Sequence, residues 1–104
     1  MSVVTNCILT FSVLEDVEKR IKDINKYFGD YKGFVSCNDE ILPRGWYGGT
    51  KMLETNVCIG ALNHLNIKDL VEHLKKIEWE EKENVQLIFQ EQEEDRFKIL
   101  TLTE

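Results

Sequence analysis

Proline is almost missing from this chain, with Pro43 alone in 104 residues. Regular elements can therefore run unbroken nearly everywhere except around that one position. Cysteine is sparse as well: Cys7, Cys37 and Cys58 are odd in number and form no C-x-x-C pair. That argues against a disulfide framework or a zinc ribbon and reads as three reduced thiols. No apolar run approaches the ~20 residues needed to cross a bilayer. Residues 1–13 have no basic start and are interrupted by Thr5, Asn6 and Thr10, so they do not read as a signal peptide and the expected location is cytoplasmic. Cations are outnumbered, 13 Lys and Arg against 19 Asp and Glu, for a formal net charge of −6. Phosphate-backbone binding depends on Lys and Arg, so the acidic balance argues against nucleic acid as a partner.

What is present is a globular composition, 42% hydrophobic and 31% charged, at a length suited to one domain over residues 1–104. A chain of this size buries roughly 60–65% of its unfolded surface, enough for one modest core. Residues 3–11 (VVTNCILTF) are β-branched and apolar on both faces, as a central strand requires. Ser12 and Glu15 have the S-x-x-E spacing of a capping box. Leu14, Val17, Ile21, Ile24 and Phe28 follow at steps of three and four, one helical face, with Gly29 as its stop. Residues 33–38 read as a short strand. Residues 54–62 (ETNVCIGAL) read as another, with Gly60 marking a bulge or a close approach. Asn66 is a second N-cap, ahead of a stripe made by Ile67, Leu70, Val71, Leu74 and Ile77. Trp79 is expected to fold back onto the domain. Residues 84–90 alternate, with Val85, Leu87 and Phe89 on one face. Residues 96–103 read as a closing strand with Phe97 and Ile99 facing inward, paired to its predecessor as a hairpin.

The order β-α-β-β-α-β is that of a ferredoxin-like two-layer sandwich, here with an additional C-terminal β-strand forming a hairpin. Right-handed crossovers place the first and third strands centrally. One sheet face then lies free of helices, and Ile8, Val35, Cys58 and Leu62 are expected to contribute apolar surface to it. A self-pairing dimer would bury such a face.

The most unusual segment is residues 43–51 (PRGWYGGTK), opening on Pro43. Trp46 and Tyr47 are rigid aromatic anchors, Arg44 and Lys51 supply cations, and the glycines permit close backbone approach. It is not a phosphate-binding loop: Thr50 precedes Lys51, and a strand rather than a helix follows. Against the binding role stands the plain alternative that Trp46 or Tyr47 packs inward on the core edge. Asn63 and His64 sit between the third strand and the second helix. Histidine is a potential base near neutral pH, but no nucleophile or acid accompanies it, and a surface turn explains it as well. His73 reads as a boundary residue of the second helix. The cysteines read as core thiols, and no metal or cofactor is implied. The acidic stretches 78–83 and 91–95 lack calcium-loop spacing and read as solvated turns. The aromatics of an RNA-binding sheet are missing from the third strand.

The expectation is a small non-catalytic binding or regulatory module using the loop 43–51. Its ligand- or partner-binding residues would be Arg44, Trp46, Tyr47, Lys51, Asn63 and His64. Homodimerisation, a protein partner or a small ligand are the candidate contacts, with no membrane and no nucleic acid. The alternative is a small cofactor-independent enzyme of the dimeric ferredoxin-like kind, with a cleft lined by Asn63, His64, Trp46 and Tyr47.

Overall fold

A computed structural model describes residues 3–29, 33–37 and 55–103. The described chain is α+β, with two α-helices and one five-stranded antiparallel sheet. The elements are β1 (Val4–Phe11), α1 (Val17–Asn25), β2 (Val35–Ser36), β3 (Asn56–Asn63), α2 (Ile67–Lys76), β4 (Gln86–Gln90) and β5 (Lys98–Thr101). The strands lie in the order β2-β3-β1-β4-β5. β1 is thus the middle strand, paired to β3 from Val4↔Asn63 to Phe11↔Asn56 and to β4 from Asn6↔Gln90 to Thr10↔Gln86.

Alternation along each strand sorts the side chains onto two faces. On β1, Thr5, Cys7, Leu9 and Phe11 are buried. Cys58 and Leu62 of β3 and Leu87 and Phe89 of β4 lie on that same face. They form one core with Ile24 of α1, Leu70 and Leu74 of α2, and Phe34, Val85 and Leu102. Trp79 does fold back: its ring lies 5.4 Å from that of Phe11, and its indole Nε1–H donates to the Leu74 carbonyl at 2.8 Å. The spacing of Ile24, Leu70, Leu74, Leu87 and Phe89 predicts this burial directly.

Three expectations are corrected. First, Cys58 and Leu62 lie on the helix side, not the free face, because Cys58 is opposite Leu9 and Leu62 opposite Thr5. Ile8 and Val35 are on the free face as expected. Second, Phe97 and Ile99 do not face inward; they are 46% and 61% exposed, and Leu102 is the buried residue of this segment. Ile99 is opposite Ile88, which fixes it on the free face, whereas Leu100 is opposite Leu87. Third, Ser12 and Glu15 form no capping box. α1 starts at Val17, and Asp16 caps it by accepting from the Lys19 amide at 3.3 Å. The second N-cap is as expected, with Asn66 accepting from the Asp69 amide at 3.2 Å.

Gly60 marks a close approach and not a bulge, since the register runs through it unbroken. A Cβ there would lie 3.3 Å from Leu62 Cδ2 and 3.5 Å from the Gly33 carbonyl.

Candidate functional site

Of the residues singled out from sequence, Arg44, Trp46, Tyr47 and Lys51 lie outside the described residues. Asn63 and His64 are described and exposed. The Asn63 side-chain oxygen accepts from the Val3 amide at 2.9 Å, and the His64 amide donates to the Val3 carbonyl at 2.9 Å. His64 has φ 54°, a left-handed conformation that histidine tolerates better than most side chains. Together the two residues turn the chain from β3 towards α2 while holding the start of β1. His73 is half-buried, its Nε2 2.8 Å from the Asp23 carbonyl.

Cys7 and Cys58 are buried, and burial pushes each thiol up to about 12, with Cys37 adding to the effect at Cys58. Neither is a thiolate nucleophile at neutral pH. Among the described residues no group of three or more His, Cys, Asp or Glu is arranged to hold a metal ion. Among them, too, no helix is long and apolar enough to cross a membrane.

The buried charges form a structural clamp. Arg20 and Glu15 are 3% and 5% exposed. Glu15 Oε1 accepts from Arg20 Nε at 2.7 Å and from the Glu80 amide at 3.1 Å, and Oε2 accepts from the Glu81 amide at 2.8 Å. Arg20 also donates to Asp23 at 3.3 Å and to the Glu78 carbonyl at 2.5 Å, with its guanidinium 5.7 Å from the centre of the Trp79 ring. Burial alone would raise the Glu15 carboxyl; the two amides and Arg20 outweigh it and hold the group below its ordinary range. The cluster ties the start of α1 to the segment after α2. The Glu15–Arg20 pair at its centre is buried, as a fold-holding cluster requires, while Asp23 and Glu80 lie at its rim.

The feature that faces outward is the free side of the sheet. The pairings Val35↔Ile59, Ile59↔Ile8, Ile8↔Ile88 and Ile88↔Ile99 form one row across all five strands. Each member is β-branched and aliphatic. Val35 and Ile59 are 48% and 44% exposed. On one side of the row stand Val57, Thr10, Gln86 and Thr101, and on the other Ala61, Asn6 and Gln90. None of these side chains is charged, in a chain where 31% of residues are. Asn6 Nδ2 donates to Gln90 Oε1 across the face at 3.3 Å. A groove of about 510 Å³ on this side is lined by Asn6, Ile8, Val35, Ile59, Ala61 and Phe97 among others. Sequence reasoning found Ile8 and Val35 here but missed Ile59, Ile88 and Ile99. The signal was available only once the strands were laid in register, because each isoleucine alone looks like an ordinary strand residue.

No protein-family model, curated protein or solved structure matches this chain.

Proposed function

We propose that this chain is a non-catalytic binding module whose contact surface is the free face of its sheet. Its frame, on this reading, is a ferredoxin-like β-α-β-β-α-β two-layer sandwich extended by a C-terminal hairpin. The element order and the strand order β2-β3-β1-β4-β5 support that frame. The observation that carries the functional reading is the uncharged isoleucine row and its exposure. Contiguous apolar surface of this kind on a folded chain marks an interaction site. The loop 43–51, with Arg44, Trp46, Tyr47 and Lys51, and the turn residues Asn63 and His64 are proposed as additional partner contacts.

The groove of about 510 Å³ favours the alternative, a small cofactor-independent enzyme acting on a planar substrate, because it is of small-molecule size. Its described lining weighs the other way: Asn6 supplies a neutral amide, no base or nucleophile at neutral pH, and the Cys7 side chain is buried on the opposite, helix-covered face.

Affinity capture from the lysate of the native organism tests the binding reading. Wild type, Ile59→Lys and the double variant Trp46→Ala/Lys51→Ala are compared as baits, each checked for wild-type circular dichroism. The wild type is expected to retain a specific prey that Ile59→Lys loses and the double variant holds more weakly. Equal capture by all three baits overturns the surface.

A further inference from the structure

Resting on that reading of the free face, we infer that its occupant is a second copy of this chain, packed sheet on sheet with the Val35–Ile59–Ile8–Ile88–Ile99 rows overlaid. Three observations converge on a copy in preference to another partner.

The first is charge. In a two-fold dimer, a residue near the axis meets its own kind. A carboxylate or an ammonium there would face an identical ion and repel it. Isoleucine, valine, threonine, asparagine and glutamine face their own kind without penalty, since an amide or a hydroxyl both donates and accepts. A chain with net charge −6 whose described residues on this sheet face are all uncharged meets that condition. The helices, on the far side of the sheet, carry Glu18, Lys19, Lys22, Asp69, Glu72 and Lys75. Sheets stack about 10 Å apart, so these charges stand more than about one Debye length from the partner's at ordinary salt. Among the described residues of this face, a basic, acidic or phosphate-bearing partner finds no charged side chain to pair with.

The second is symmetry. Ile8 lies on the middle strand and in the middle of the row. A two-fold axis in the interface plane through Ile8 superposes row on row whether it runs along the row or along the strands. Identical side chains meet in the first case, and Val35 meets Ile99 in the second. Both are aliphatic contacts of the kind that fills aligned β-sandwiches.

The third is size. The strands from β2 to β5 across the sheet run two, eight, eight, five and four residues, which at about 4.8 Å spacing and about 3.3 Å rise gives a face of roughly 430 Å² in plan. Two such faces remove on the order of 1,000 Å² once side-chain relief is included, the size of a weak, reversible interface. An interface of that size gives a dimer whose population follows concentration.

Sedimentation velocity on the full chain from about 1 to 200 µM tests the inference. Wild type is expected to pass from monomer to dimer within that range. Ile59→Lys places two ammonium groups near the axis and is expected to weaken association at least about 100-fold. Its circular dichroism should not change, because the side chain is already 44% exposed in the single copy. Ile99→Lys, at the most exposed end of the row, should weaken it less, and Glu72→Lys, on the outer side of α2, not at all. A wild type that stays monomeric at the highest concentration overturns the inference. So does a dimer that Ile59→Lys and Ile99→Lys leave intact, which would assign association to another surface, such as the β5 edge. The two readings fail separately. A monomeric wild type whose lysate capture is still lost in Ile59→Lys keeps the binding face and removes only self-pairing; unchanged capture removes both.

Discussion

Glu15 is the centre of the buried ion cluster. It occupies the third position after Ser12, where a capping box would put a carboxylate, yet its oxygens are spent on Arg20 and on two amides of the segment after α2. Glu15→Ala strands a buried guanidinium and two amides, and urea unfolding is expected to show a loss of about 3–5 kcal/mol. The pH dependence follows from the lowered carboxyl. Glu15 stabilises the fold fully above the ordinary carboxylate value of 4.5 and ceases to do so as pH falls through its lower folded value. Thermal unfolding between about pH 6 and pH 2 should therefore show a steeper acid-side decline in wild type than in Glu15→Gln. A wild-type profile no steeper than that of Glu15→Gln would remove Glu15 from the acid response. Asn25 plays a comparable part on a smaller scale. Its amide gives and takes a hydrogen bond with the backbone of buried Phe34, at 2.9 and 2.8 Å, and a Cβ on neighbouring Gly33 would collide with it and with the Phe28 ring. Asn25→Ala is expected to cost about 2–3 kcal/mol by the same unfolding measurement, because a buried amide and carbonyl lose their partners together. None of this is written in spacing: a polar residue on a helix announces neither a distant carbonyl nor a distant amide.

At the scale of the element, what sequence reveals depends on whether the deciding contact is local. Asn66 and the stripe behind it were legible because cap and helix are neighbours in the chain. The start of α1 was not. Ser12 accepts instead from the Leu14 amide at 3.1 Å and donates to Glu81 Oε1 at 2.5 Å, a partner sixty-nine residues away. With Ser12 and Glu15 both committed elsewhere, the first free carboxylate, Asp16, becomes the cap. Asp16→Ala should lower stability by about 1 kcal/mol and speed amide exchange in the first turn of α1. Ser12→Ala should leave that turn's exchange unchanged while still destabilising the protein. Faster exchange in the first turn of α1 on losing Ser12, and no change on losing Asp16, would restore the earlier start. β5 was misread for a related reason. Its residues alternate in either phase, and only pairing to β4 decides that Ile99 joins Ile88 outside while Leu102 goes in.

For the whole molecule, the helices, the two-sided apolarity of β1 and the inward side of β4 were readable because periodicity encodes them. The free face was readable only in part. Ile8 and Val35 were placed on it, but Cys58 and Leu62 were assigned there through the wrong phase of β3, and three of the five row members went unnoticed. A row that crosses strands is a property of register, and register is set by contacts far apart in the chain. Of the six contact residues expected from sequence, the four on the loop, Arg44, Trp46, Tyr47 and Lys51, lie outside the described residues.

The central position of β1 has a further consequence, in time rather than in space. Of the five strands β1 is the first to be synthesised, yet both of its edges wait: one for residues 56–63 and the other for residues 86–90. During translation β1 has no described neighbour until some fifty further residues have been made, and closing such distant pairs is slow. The nascent chain therefore carries an unpaired aliphatic strand over that interval, the condition under which newly made polypeptides engage holding chaperones or stick to one another.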